Sequence, residues 1–196
     1  MDKCVIVVDN SNIFIEGQKV SAKAKGVAPD PAMPGRRPND PSWRIDFGGL
    51  LSELAAGRTI YAAILVGSRP PKNDSVWGAA ERHGFTVTVH DRSSAGKEKA
   101  VDTELVAQGT EIICCVAGPM TLVIASGDRD FVPLASVAHR RNWEVEMCAF
   151  SASFNPGGDL ATAVDRVRPL DASVFKVGRC DFDWPIPAYT PGPTGN

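Results

Sequence analysis

The residues with the clearest capacity for chemistry are carboxylates. Asp128 and Asp130 stand two positions apart in Ala125-Ser126-Gly127-Asp128-Arg129-Asp130-Phe131. Asp9 closes an apolar run near the N-terminus, and Asp102 follows Lys99-Ala100-Val101. Taken singly, each has an ordinary structural reading. Asp9, Asn12 and Asp128 suit helix N-caps, and Asp102 in a first helical turn complements the helix dipole. Gathered at one place, however, carboxylates repel one another unless a cation neutralises them. Oxygen donors without His or Cys select hard ions, Mg²⁺ or Mn²⁺. Mg²⁺ is usually held by one or two carboxylates plus substrate phosphate and keeps several waters. One such water, activated by the ion or by a carboxylate, is a nucleophile for a phosphodiester.

For that chemistry the carboxylates must meet, and the hydrophobic pattern says how. Lys3–Val8 is a continuous β-branched, apolar run of strand length, Met120–Ile124 is an apolar run, and Thr59–Val66, Phe85–His90 and Trp143–Phe150 also read as strands. Such runs suit strands covered on both faces. Helical spacing falls between them, over Ile13–Val20, Trp43–Ala56, Asn73–His83, Lys99 to about Ala117 and Phe131–Arg141. A further short helix is expected over Leu160–Arg166 and an edge strand over Val174–Val177. Alternating strands and helices imply an α/β fold, a three-layer α/β/α sandwich with a central parallel sheet. The carboxyl ends of all strands then share one edge, where open α/β sheets bind ligands. Asp9, Asn12, Asp128 and Asp130 fall on that edge, and Asp102 can reach it.

A domain is expected over residues 1–170, interrupted at about 21–42 by a stretch with five prolines, Gly26, Gly35 and the pair Arg36-Arg37. A loop of this length inside a domain is usually functional. Residues 171–196 form a C-terminal extension, rich in Pro and Gly from about 181. The apolar segments are too short to span a bilayer and no secretory leader is evident, so a cytoplasmic location is expected. The five cysteines, Cys4, Cys114, Cys115, Cys148 and Cys180, show no CxxC spacing, and His83, His90 and His139 are scattered. The cysteines read as reduced core residues, and a zinc site is disfavoured.

The formal net charge of -2 gives no overall basic field. Basic residues are nonetheless placed around the expected edge: Arg69, Lys72, Arg92, Lys97, Lys99 and Arg129, with Lys19, Lys23, Lys25, Arg36 and Arg37 in or before the long loop. An acidic centre inside a basic rim suits a polyanion brought to a metal. Trp43, Trp77 and Phe14 are aromatic, but their spacing reads as core.

Val7-Val8-Asp9-Asn10-Ser11-Asn12, Lys99-Ala100-Val101-Asp102 and Ser126-Gly127-Asp128-Arg129-Asp130-Phe131-Val132-Pro133-Leu134 resemble the motifs of the NYN domain family, PIN-like proteins with bacterial LabA-like relatives. The resemblance implies metal-dependent ribonuclease activity with Mg²⁺ or Mn²⁺ and RNA as partner, without a membrane or a nucleotide cofactor. It implies Asp9, Asp102, Asp128 and Asp130 as metal-binding carboxylates and Asn12 as a polar helper. It also implies Lys99 as a phosphate contact and Ser126 as a residue that orients the turn or touches substrate. Arg129, Arg36 and Arg37 are added as substrate contacts from the basic rim. The long insertion departs from the family pattern.

The alternative is a catalytically silent module of the same fold that binds RNA or a protein. A haloacid-dehalogenase-like phosphatase would need a second Asp two positions after Asp9, where this chain has Ser11. A receiver domain would need a Lys after the fifth strand that is not in place. A homo-oligomer is left open by the sequence.

Overall fold

In a computed structural model, residues 2–29, 35–69, 75–91 and 99–185 are described, excluding the side chains of Arg69, Asp91, Lys99 and Ala100. The strands are β1 (Lys3–Asp9), β2 (Trp43–Ile45), β3 (Thr59–Arg69), β4 (Thr86–Asp91), β5 (Thr121–Ala125), β6 (Glu144–Ala149), β7 (Arg166–Pro169) and β8 (Gly178–Cys180). The helices are α1 (Asn10–Ala24), α2 (Phe47–Ala55), α3 (Ser75–Arg82), α4 (Lys99–Cys115), α5 (Val132–Arg140) and α6 (Asp159–Ala163). A 6-stranded sheet has the order β4-β3-β1-β5-β6-β7. Each of its pairs is parallel.

Period-two alternation of buried side chains divides the core into two layers. Cys4, Ile6 and Val8 of β1 join Ile13, Val20, Leu50, Leu54, Trp77 and Ala80 on one face. Val5 and Val7 join Val101, Leu105, Ile113, Leu134 and Ala138 on the other. Helices α1, α2 and α3 therefore cover one face, and α4, α5 and α6 the other. The expected three-layer α/β/α sandwich is present.

After β1 the chain builds outward through β3 and β4, then returns to place β5 on the other side of β1. The connection after β1 leaves toward one face and that after β5 toward the opposite face. A crevice opens between two adjacent strand ends whose helices diverge in this way. Val8 is in register with Ala125, so Asp9 and Ser126 emerge side by side into it.

Several elements differ from the sequence expectation. Trp43–Ile45 is a strand rather than the start of a helix, because it pairs antiparallel with Gly178–Cys180 in a separate 2-stranded sheet. The strand expected over Val174–Val177 lies instead at Gly178–Cys180, after a 3-10 turn at Asp171–Ser173. The last helix is shorter than expected and gives way to β7, whose Arg166 lies opposite Glu146 of β6. Helix α1 extends to Ala24, since Ser21 and Ala22 are buried. Of the cysteines only Cys4 and Cys148 are core residues; Cys114, Cys115 and Cys180 are exposed.

Trp43 anchors the small sheet. It is fully buried, its Nε1 donates to the Val174 carbonyl at 3.1 Å, and it meets Phe150 edge-on with centroids 6.3 Å apart. Gly17 of α1 and Gly178 of β8 leave room for its ring, and a methyl on either would overlap it. Gly17→Ala is therefore expected to destabilise the protein by about 1–3 kcal/mol, although Gly→Ala in a helix ordinarily stabilises by about 1 kcal/mol. Gly78→Ala in α3, where a methyl would meet only the end of Arg82 at 3.5 Å, is the control of opposite sign. Urea midpoints of the two variants check the contrast.

The chain following α1 is fastened by Asp40, whose side chain is wholly buried. It accepts hydrogen bonds from Ser21 Oγ at 2.6 Å, Ser42 N at 2.9 Å and Ser42 Oγ at 2.5 Å, and pairs with Lys25 Nζ at 2.8 Å. Burial alone would raise its pKa. The Lys25 ammonium and the Ser21 and Ser42 donors overcome that and hold it at about 2. A depressed carboxyl pKa contributes stability above the unfolded value, which is lost as pH falls through the folded one. Asp40 is accordingly expected to contribute about 2 kcal/mol above pH 5, lost progressively toward pH 2. Urea melts at pH 6 and pH 2 check this: Asp40→Asn, though less stable at pH 6, loses less on acidification than the wild type.

Candidate active site

Asp9 ends β1 and caps α1. Its Oδ1 accepts from the Asn12 backbone N–H at 3.0 Å. Its Oδ2 accepts from Ser126 Oγ, also at 3.0 Å. Ser126 is fully buried at the end of β5, and its Oγ in turn accepts from Asp128 N at 3.2 Å. One hydroxyl thus ties the ends of the two central strands together. Asp128 Oδ1 accepts from Asp130 N at 3.0 Å and caps a 3-10 turn over Arg129–Phe131, which leads into α5. The capping reading of Asp9 and Asp128 is thus met by their Oδ1 atoms.

Asp9 is 7 % exposed. Burial raises its pKa; the Asn12 and Ser11 amides and the Ser126 hydroxyl oppose the rise, while the nearby Asp128 carboxylate adds to it. A crevice of about 210 Å³ is lined by Asp9, Ser11, Asn12, Glu16, Asp102 and Asp128, among others. Helix α4, on the opposite layer from α1, brings Asp102 of its first turn to the crevice.

The other expected site residues lie at varied distances from this centre. Asp130 and Arg129 are exposed and line an adjoining cleft of about 640 Å³ with Asp102 and Asp159. Arg36 and Arg37 are exposed but line none of the clefts described here. The Lys99 and Arg69 side chains, and Lys72, Arg92 and Lys97, lie outside the described residues. Of the other rim residues, Lys25 is engaged by Asp40 and Lys19 by Glu16. Trp43 and Trp77 are core residues, at 0 % and 5 % exposure.

Glu16 is a site residue that the sequence reading does not single out. It follows Asn12 by one helical turn, so the two share a face of α1, a spacing that could have revealed it. Its Oε1 accepts from Lys19 Nζ at 2.6 Å.

Among the described residues, no three His, Cys, Asp or Glu side chains converge tightly enough to form a ready-made metal site. Asp9 and Asp128 are each held by their capping bonds, and Asp130 belongs to the neighbouring cleft. The crevice nevertheless fits a hard cation. Asn12 Oδ1 and Glu16 Oε2 are buried acceptor oxygens with no donor. A buried acceptor without a donor is costly. Of the two residues, only Glu16 already has a cation among the described residues, Lys19 on its other oxygen. With Asp9, Asp102 and Asp128 they form an all-oxygen donor set. Mg²⁺ needs only one or two protein carboxylates, with water and phosphate completing its shell.

The model of the NYN domain matches residues 10–171. The chain belongs to the NYN domain family. This PIN-like family is generally ribonuclease-like, which makes a nuclease the class of activity to test. Among curated proteins none matches the chain. A crystal structure of a protein of unknown function from Vibrio parahaemolyticus RIMD 2210633 is similar, with a TM-score of 0.62 and 16% sequence identity. The match covers 86% of this chain and 93% of that one. At that identity the likeness shows the fold alone, the same sandwich on which this NYN domain builds its crevice. Among the described residues no helix is long and apolar enough to cross a membrane.

Proposed function

We propose that this NYN domain is a Mg²⁺- or Mn²⁺-dependent ribonuclease that hydrolyses RNA phosphodiester bonds at the crevice between β1 and β5. The observation that carries the reading is the set of buried acceptors without donors, Asn12 Oδ1 and Glu16 Oε2, beside Asp9 and facing Asp102 and Asp128. Asp9, Asp102 and Asp128 would hold the ion, with Asn12 and Glu16 as oxygen partners and Asp130 entering from the adjoining cleft. When bound, the ion supplies Lewis-acid polarisation of a phosphate and lowers the pKa of a water. Ser126 fixes the orientation of Asp9 through Oδ2. Asp128 caps the following turn with Oδ1, and its other oxygen would hold the ion. Arg129, and with it Lys99, Arg36 and Arg37, would meet phosphates along the strand.

One observation favours a second reading, a domain that binds RNA without cutting it: no three acidic side chains among the described residues are drawn tightly together. The two readings separate in one experiment. A mixed pool of labelled RNAs is incubated with Mg²⁺, Mn²⁺ or EDTA, with Asp128→Asn alongside. The amide side chain of that variant retains an oxygen to cap the turn, so the variant folds. Cleavage that requires the ion and is absent from Asp128→Asn supports the ribonuclease. RNA retained on a filter with no cleavage under any condition supports the binding domain instead.

A further inference from the structure

The geometry points to a nucleobase subsite beside the carboxylates, in the cleft between the Ser126–Asp130 turn and the loop that follows β6, which receives an unpaired base of single-stranded RNA. The inference rests on the ribonuclease reading for its choice of ligand, but on different residues. The cleft has a volume of about 390 Å³ and is lined by Asn12, Asp128, Arg129, Ser153, Phe154 and Asn155, with residues of α6 closing one side. This lies within the size range of small-ligand sites, about 300–1,000 Å³. Asn12 and Asp128 also line the acidic crevice. A base held here therefore places its own backbone at the carboxylates.

The wall is preformed. Ser153 N and Oγ both donate to the Phe150 carbonyl at 2.8 Å, and Gly158 N donates to the Asn155 carbonyl at 2.8 Å. Ser151 N and Oγ donate to Asp171 Oδ2 at 2.8 and 2.9 Å. The loop leans directly on the acidic turn: a methyl on Gly127 would stand 2.6 Å from the Ser153 carbonyl oxygen. Any other residue at 127 would push the two apart.

Phe154 is half-buried, packed on the core beneath while lining the cleft. A half-exposed aromatic ring in a cleft wall can serve as a stacking platform for a base. Asn155 Oδ1 is taken by Gly157 N at 3.0 Å, which leaves its amide N–H groups as donors to an acceptor on the base edge. Arg129 is exposed at the mouth, where it meets a phosphate or stacks. A paired base inside an A-form helix offers no free face to such a ring, so the site selects unpaired RNA.

The test measures binding apart from cleavage. The full chain carrying Asp9→Asn is titrated in Mg²⁺ with a fluorescent single-stranded RNA heptamer and with a duplex of the same sequence. The single strand is expected to bind more tightly than the duplex. Adding Phe154→Ala is expected to weaken single-strand binding by about 5- to 100-fold, and Phe154→Tyr to restore it. Asn155→Ala, which keeps the ring, is expected to cost less than Phe154→Ala. Circular dichroism melts confirm that each variant is folded; should Phe154→Ala unfold, Phe154→Leu, which keeps the volume without the aromatic face, takes its place. Equal affinity with and without the aromatic ring, or duplex bound as well as single strand, overturns the subsite. If the wild type cleaves RNA with metal while loss of the ring changes nothing, the subsite falls and the ribonuclease stands. If the ring governs binding and no metal supports cleavage, the subsite stands and the ribonuclease falls. If the chain binds no RNA, both fall.

Discussion

Asp9→Asn is expected to lower RNA cleavage by about 10³-fold or more while leaving the melting temperature unchanged or raised. The two halves of this expectation have one cause. Asp9 sits almost out of water, with the Asp128 carboxylate near enough to raise its pKa further. Without a cation, its charge costs the folded state stability. Asparagine keeps the shape, accepts the Asn12 amide with its oxygen and can meet Ser126 with its amide group. It removes the charge and reverses the hydrogen bond with Ser126. A residue kept for packing behaves differently, since its replacement costs stability and leaves the chemistry to follow. The loss of about 10³-fold corresponds to about 4 kcal/mol of transition-state stabilisation, the scale on which a single preorganised electrostatic partner acts. Cleavage time courses beside thermal melts check it. Full activity removes Asp9 from the chemistry; lost activity with a lowered melting temperature makes it a structural cap only.

What the sequence discloses about this domain follows from how local each signal is. β1 and β5 are buried on both faces, so each reads as a nearly unbroken apolar run, whereas β3 starts exposed at Thr59–Tyr61 and β6 carries Glu144 and Glu146. β2 and β8 are each three residues long and pair across most of the chain, Trp43 with Cys180, which no local period can announce. Trp43 at helical spacing from Phe47 and Leu50 imitates a helix start until its partner strand is known. The carboxylates at strand ends are legible for the same reason as the strands: a charged residue closing a β-branched run marks the sheet edge. Which carboxylates are structural is not legible. Asp40 is one of two acids in a proline-rich stretch, and its role depends on Ser21 and Lys25 folding back to it. Phe154 escapes a reading of the sequence because a lone aromatic in a loop carries no pattern until the cleft it lines has formed, whereas Glu16 left one trace, its one-turn spacing from Asn12.

Glu146→Ala is expected to produce the largest loss of stability, about 3–5 kcal/mol, with cleavage per folded molecule unchanged. Glu146 lies inside the fold at 3 % exposure. Arg168 Nε reaches its Oε1 at 2.5 Å and Arg58 Nη2 its Oε2 at 3.0 Å. Both guanidiniums continue to the end of α2. Arg168 donates to the Glu53 carbonyl at 2.6 Å and the Leu54 carbonyl at 3.0 Å; Arg58 donates to the Ala55 carbonyl at 2.9 Å and to that of Leu54 at 3.2 Å. These are carbonyls that a helix C-terminus leaves without internal partners. The carboxylate thus holds two cations that in turn finish a helix. Removing it leaves Arg58 partly buried without its counter-charge and Arg168 with only Glu53, at 3.6 Å, and that penalty exceeds the worth of the pair itself. Burial would raise the Glu146 pKa, but Arg168 and then Arg58 outweigh it and lower it. Its contribution is therefore present above the ordinary glutamate range and fades on acidification below it. Glu146→Gln, which keeps an oxygen for one arginine, should fall between the wild type and Glu146→Ala. Urea unfolding of the three proteins at pH 7, beside their cleavage rates, separates this carboxylate from those of the crevice. Asp9 is expected to lose activity and keep stability. Glu146 is expected to do the reverse, because its negative charge has two positive partners within the fold, whereas that of Asp9 faces another carboxylate.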